Sequence, residues 1–234
     1  MGRFAKAAAA GAAMLLVMLA GCAGRGQDRK PVDDPVARGW EIAAEAGSSI
    51  SDDERELFEE ATEGLTDLDY EPVAVIATQL VSGTNRAYLC TGTVVSPGGG
   101  VGWHVMGIYE DLGGGVRLLD IKELDITQPV LSEDPADAET VGAWTVAKPG
   151  SDVLSAEVAE LFEKAMAGVE GVDFKPIALL GTQIVSGTNY LVLCYGEPVA
   201  PDTRGALYLV QIHADLDGGA EVANVGLLDL LAYV

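Results

Sequence analysis

Histidine is nearly missing from this 234-residue sequence, which holds only His104 and His213. A catalytic centre needs groups that converge, and two imidazoles give an acid–base or nucleophilic site little to work with. Positive charge is also scarce. Fourteen Lys and Arg stand against 36 Asp and Glu, a formal net charge of −22. A surface of that sign repels phosphate backbones and anionic headgroups, so no nucleic acid and no charged lipid surface is expected as a partner. The charge suits a solvated exterior, and a partner, if there is one, of basic character. Long apolar runs are missing after residue 21, so no later segment has the length and apolarity to cross a membrane.

The first 22 residues have a different composition. Arg3 and Lys6 precede the run "AAAAGAAMLLVMLA", which is too short to span a bilayer comfortably, and "LAGC" ends it at Cys22. This arrangement resembles a bacterial lipoprotein signal. The resemblance implies a signal peptide over 1–21, cleavage before Cys22 and a diacylglycerol on its sulfur. It places the mature chain at the cell membrane, lipid-anchored and extracytoplasmic, on the outer side of the cytoplasmic membrane or in an outer membrane, touching lipid through that anchor only. Loss of residues 1–21 removes two of the 14 basic residues and no acidic one, leaving 12 against 36, or −24.

Beyond the anchor the sequence is written twice. Shifted by 104 positions, Trp40 falls on Trp144, Ser51 on Ser155, Leu57-Phe58-Glu59 on Leu161-Phe162-Glu163, Pro72 on Pro176 and Cys90 on Cys194. From Gly64 to Pro97, 16 of 34 positions are identical without a gap, and "QLVSGTN" at 79–85 meets "QIVSGTN" at 183–189. This is a tandem duplication. The division that follows is a tether over 22–38, a first domain over 39–126, a linker over 127–140 and a second domain over 141–234.

Each copy reads in the same order. A short extended piece, "GWEIA" or "AWTVA", precedes a helix. Ser51 and Glu54 have capping-box spacing, and Leu57, Phe58, Ala61 and Leu65 share a face, as do Val158, Leu161, Phe162, Ala165 and Val169. Gly64 and Gly168 fall where a helix C-terminal glycine belongs. The period then becomes that of strands. Two hairpins follow, one turning at Ser-Gly-Thr-Asn and one at "DLGGG" or "DLDGG".

A Gln-x-Val-x-Gly string on the first hairpin, behind a helix and an extended segment with a glycine, resembles the cystatins. The resemblance covers nearly all of 39–126 and 141–234. It implies an α+β fold in each domain, a long helix wrapped by a four- to five-stranded antiparallel sheet. It also implies inhibition of papain-like cysteine proteases by a wedge made of the N-terminal glycine segment and two hairpins. The matching positions are Gln79, Val81 and Gly83, Gln183, Val185 and Gly187, with Gly142 at the N-terminal glycine and Gly39 a looser match. The Pro-Trp of the family's second hairpin has no counterpart in "DLGGG" or "DLDGG". Two readings therefore stand: a module that binds a protein or surface ligand, and an inhibitor of papain-like proteases.

Other chemistry has less to support it. Shifted by 104, the two histidines meet Tyr208 and Tyr109, so the copies share no histidine site and the chain is not read as an enzyme. Asp215 and Asp217 ahead of glycine hint at a calcium loop, but the first copy has only Asp111, so no metal and no cofactor are expected. Alternation puts Tyr190, Val192 and Cys194 on one strand face, which in the cystatin pattern is the one toward the helix. Cys90 and Cys194 then lie in separate cores and stay free thiols. The opposite face, with Leu191, Leu193 and Tyr195 or Ala87, Leu89 and Thr91, is apolar enough to require contact with something: the other copy, a second molecule or a ligand.

Overall fold

The computed structural model describes residues 39–43, 50–96, 98–126, 142–150, 153–199 and 203–234, all in the compact unit Asp34–Val234. Cys22, the tether and the linker lie outside the described residues. The first repeat runs β1 (Trp40–Ile42), α1 (Asp52–Thr62), β2 (Leu68–Val81), β3 (Gly83–Val94), β4 (Val101–Glu110) and β5 (Val116–Leu124). The second runs β6 (Trp144–Val146), α2 (Ala156–Met166), β7 (Val172–Val185), β8 (Gly187–Pro198), β9 (Ala206–Ala214) and β10 (Ala220–Leu227), and a 3₁₀ turn at Leu230–Ala232 closes the chain. Each repeat forms one antiparallel sheet whose strands lie in sequence order.

Local chemistry starts each helix. The Ser51 hydroxyl accepts the Glu54 N–H at 3.2 Å while the Glu54 carboxylate accepts the Ser51 N–H at 3.0 Å, so two of the orphan backbone N–H groups at the start of α1 are satisfied reciprocally. Asp52, Asp53 and Glu54 also set negative charge against the positive end of the helix dipole. In the second repeat Val158 replaces the glutamate, and Ser155 caps α2 alone. The two glycines expected at the helix ends differ. Gly64 adopts a positive φ of 90°, whereas α2 stops at Ala167 and the left-handed residue is Gly171, at 88°.

The helices correct the expected class. A long helix wrapped by a sheet is not what forms. Among the described residues there are two α-helices of 11 residues each, beside ten strands, and the molecule is mainly β. Eleven residues rise roughly 16 Å, while the 14-residue β2 and β7 extend roughly 46 Å at about 3.3 Å per residue. A helix that short covers part of one sheet face and cannot be what a sheet wraps. The apolar stripe read from the sequence is real at Phe58 and at Val158, Phe162 and Ala165, all buried, but Leu65 lies past the helix end and is exposed.

Among the described residues three apolar clusters hold the layers together. Phe58 of α1 packs with Tyr88, Cys90, Met106 and Ile108, and the Tyr88 hydroxyl ties the helix to β3 by donating to the Glu54 carbonyl at 3.0 Å. Val158, Phe162 and Ala165 of α2 pack with Val192, Cys194, Val210 and Ile212. The largest cluster joins the two repeats. Ala87, Leu89, Trp103 and Val105 meet Leu180, Leu191, Leu193, Tyr195 and Leu209 in one core. The apolar strand faces that needed a partner therefore cover each other, giving the layer order helix, sheet, sheet, helix. Trp103, 1% exposed, donates its indole N–H to the Leu180 carbonyl at 2.7 Å, a carbonyl that also receives the Ala147 N–H at 2.9 Å.

Removal of that indole leaves a large void and two apolar faces without their filler. Trp103→Ala is expected to lower unfolding stability by about 3–5 kcal/mol. Trp103→Phe, which keeps most apolar area and loses the hydrogen bond, is expected to cost about 1–2 kcal/mol. Urea denaturation followed by circular dichroism checks both.

Candidate functional site

The repeated string closes a turn of minimal length. Val81 pairs with Gly83, and Val185 with Gly187, so one serine, Ser82 or Ser186, is all that lies between strands. Such a turn demands a backbone open to glycine. Gly83 has φ 130° and Gly187 φ 117°, and a Cβ on either would stand 2.3 Å from the Glu110 carbonyl oxygen or 2.2 Å from that of Ala214. The glutamine and asparagine brace the turn across the strands. Asn85 donates to the Gln79 side-chain oxygen at 2.6 Å, and Asn189 to that of Gln183 at 2.8 Å. Gln183, buried, also donates to the Gly142 carbonyl at 3.1 Å.

Strand pairing gathers three segments at one end of each sheet. Trp40 pairs with Gln79 and Thr84 with Glu110, so Gly39, the Ser82 turn and the turn of Asp111–Gly115 lie side by side. Trp144 with Gln183 and Thr188 with Ala214 do the same for Gly142, the Ser186 turn and the turn of Asp215–Gly219. The Tyr109 hydroxyl donates to the Ser82 carbonyl and links the two turns of the first repeat. The N-terminal glycines are unequal. A Cβ on Gly142 (φ 106°) would stand 2.2 Å from the Ile184 carbonyl oxygen, whereas one on Gly39 would reach nothing closer than Gln79, at 3.8 Å. The second repeat thus packs its N-terminal segment directly onto its hairpin.

The second turn is self-supporting. Asp111 accepts the N–H groups of Gly113 at 2.7 Å and Gly115 at 2.9 Å, and Asp215 accepts those of Asp217 and Gly219, both at 2.8 Å. The Gly115 and Gly113 N–H bonds hold the Asp111 carboxyl below its usual range, and those of Gly219 and Asp217 do so for Asp215. Both carboxylates face donors, and no group of three metal-capable side chains occurs among the described residues.

Beside the exposed Asp111, Asp215 and Asp217, these turns present large apolar side chains to solvent. Leu80 and Leu112 of the first repeat are 86% and 88% exposed, and Ile184 and Leu216 of the second 68% and 83%. Val81 is exposed as well, and Val185 is half-buried. Of the string, then, Gln79, Gly83, Gln183 and Gly187 shape the turn, and the contact surface falls mainly to Leu80 and Ile184, which vary between copies. Leu112 and Leu216 escape a motif search. The signal that reveals them is positional, since a leucine follows the turn aspartate in both copies.

The thiols sit far from this chemistry. Cys90 and Cys194 are buried beneath α1 and α2, and burial pushes the Cys90 thiol up to about 12 and raises that of Cys194 too. Cys90 faces His104 across the strands, but its Sγ donates to the His104 backbone carbonyl, while the imidazole lies against Tyr70. Burial raises the thiol, and its hydrogen bond goes to a backbone carbonyl, which does not favour the thiolate.

The turn glycines give a direct check. Gly83→Ala and Gly187→Ala combine left-handed strain with a backbone clash, and each is expected to cost about 3 kcal/mol or more. Gly218→Ala, with φ 86° and open space around it, is expected to cost about 1 kcal/mol. Thermal or urea unfolding separates the two classes, and equal effects would contradict this view of the turn. Comparison with models of protein families and with curated proteins finds no match to this chain.

Proposed function

We propose that the chain is a membrane-anchored, extracytoplasmic lipoprotein that binds a protein partner through the hairpin ends of its two repeats. One observation carries the reading: large apolar side chains, Leu80, Leu112, Ile184 and Leu216, stand exposed on hydrogen-bonded turns at the same end of both sheets. Single exposed hydrophobics are ordinary. Their recurrence at matched tips, on a chain of net charge −22, is not. The apolar sheet faces, the other surface able to receive a ligand, are covered by each other.

Magnitudes limit what the tips can do. Burial of one leucine contributes roughly 1.5–3 kcal/mol, so two tips per repeat contribute roughly 3–6, against an association cost of roughly 4–15 kcal/mol. Useful affinity then requires turns that lose little freedom on docking, backbone contacts, or engagement of both repeats at once. The braced turns meet the first condition.

A second reading, inhibition of papain-like cysteine proteases, is favoured by the meeting of the Gly142 segment, the Gln183–Gly187 hairpin and the second turn at one end. Leucine at the second tip replaces the tryptophan that would anchor such a wedge, and aromatic anchors supply much of an interface's energy.

Titration of papain with the full-length protein in detergent, beside a variant carrying Leu80→Asp, Leu112→Asp, Ile184→Asp and Leu216→Asp, decides between them. Inhibition at micromolar protein that the variant loses supports the protease reading, and none at that concentration ends it. A photo-crosslinker at Leu112 or Leu216 in living cells is expected to trap a discrete protein adduct that one at Glu160 of α2 does not. Absence of any adduct contradicts the binding module. Cys22→Ser is expected to release the protein from the membrane fraction, and retention would refute the anchor.

A further inference from the structure

The core that joins the repeats is built from one surface used twice. Among the described residues each repeat places ten buried side chains in it, and eight from each stand in equivalent places under the 104-residue shift, among them Ile76 and Leu180, Leu89 and Leu193, and Trp103 and Leu207. A contact between unlike patches would draw on different positions in the two halves. This one is isologous: each repeat offers the other the same face, and that face is complementary to itself.

The acceptor side of the contact is two-fold as well. The Leu180 carbonyl accepts the Ala147 N–H at 2.9 Å and the Trp103 indole at 2.7 Å; its equivalent, the Ile76 carbonyl, accepts the Ala43 N–H at 3.0 Å, and Leu207 holds the place equivalent to Trp103. A face of this kind is the one that identical chains use to pair, so a single repeat closes its apolar side by meeting another of its own sort.

What keeps the pair within one chain is the connection from 127 to 141, and its ends are seated close together. Ile126 packs on Gly181, where a Cβ would stand 2.8 Å from its Cδ1, and Gly142 lies on the Ile184 carbonyl. Gly181 and Ile184 are three residues apart on β7, roughly 10 Å. The fifteen connecting residues reach roughly 50 Å when extended, so they join two near points with length to spare. A tether of this length sets an effective concentration on the order of millimolar. Pairing within the chain prevails at micromolar protein for that reason, and not because the faces distinguish their own chain from another.

We propose that this face is a self-recognition surface whose alternative occupant is a second copy of the chain. Two chains exchange repeats, the first of one closing on the second of the other, and every core contact made within a chain is remade between chains. The product has two complete cores and presents four hairpin ends in place of two. The exchange does not depend on what those ends bind, and a partner with repeated sites is held by more of them at once.

Native mass spectrometry of the full-length protein in detergent tests this. The unaltered protein at about 1 µM, far below the effective concentration of the tether, is expected at the mass of one chain. Deletion of residues 127–141 bonds Ile126 directly to Gly142, so roughly 3.8 Å of backbone replaces a span of roughly 10 Å and the pair can no longer close within the chain. A two-chain mass is then expected, with Cys90 and Cys194 still protected from alkylation. A deletion variant with both thiols protected at the mass of one chain overturns the proposal. If the deletion variant does not fold and its thiols react, heavy-isotope and light-isotope forms of the unaltered chain refolded together from urea decide instead. A hybrid two-chain species whose share rises in proportion to chain concentration is expected, and its absence overturns the proposal. The two-fold character of the face has a separate readout. Trp103→Leu is expected to lower the urea midpoint, and Leu207→Trp added to it, which moves the indole to the equivalent place, to recover part of the loss. No recovery contradicts the isologous face.

Discussion

Trp103 reaches from the first sheet to a carbonyl of the second, and around it Leu89, Val105, Leu191, Leu193 and Leu209 close two apolar faces on each other. Everything else about this molecule follows from that contact. A sheet with one face under a helix and the other in water would alternate apolar and polar residues, yet β3, β4, β8 and β9 carry apolar side chains on both faces. Such strands are stable only where both faces are covered. Since α1 and α2 are too short to do more than part of one side, the duplication supplies the other.

With the inner faces closed on each other, contact with another molecule is left to the outer faces beyond the helices and to the edges and ends of the sheets. The long strands β2 and β7, paired on their outer side only by the three-residue β1 and β6, each carry a proline, Pro72 or Pro176, and two bulges at matching places. Both features discourage the addition of a further strand. The hairpin ends have no such protection. They present leucine or isoleucine on turns braced from within, which is how a surface stays rigid and apolar without collapsing onto itself. The two ends have also diverged at the residue beside the turn, Tyr109 with Arg117 in one and His213 with Glu221 in the other, so one ancestral surface has become two with different electrostatics.

The sequence discloses the duplication, the strand order, the helix caps and the turn positions, because each is a local matter of residue type and spacing. The Ser51 capping box and the glycines at 83 and 187 could be placed from those alone. The long helix is implied by the resemblance alone; the residues themselves support 11-residue helices, with Leu65 and Val169 lying past their ends. The partner of the apolar strand faces was left open for a different reason. Leu89 and Leu193 belong to one core built across two sheets, and no local pattern encodes a contact at that separation. At the site, the Gln-x-Val-x-Gly motif marks Gln79, Gly83, Gln183 and Gly187, which shape the turn, whereas Leu112 and Leu216 lie outside it, in tips that show only as turn signals. Residues that hold a shape are often more recognisable than those that use it.

That the two repeats are one cooperative body is the central claim, and the chain carries its own reporters. Cys90 lies under α1 in the first repeat and Cys194 under α2 in the second, each buried in a separate cluster. Pulsed alkylation along a urea gradient, read at each thiol by peptide mass spectrometry, follows the two halves independently in one sample. If the shared core governs both, the thiols become reactive at the same urea concentration and Trp103→Ala moves both transitions down together. Two separate transitions, or a shift in Cys90 alone, would contradict the account.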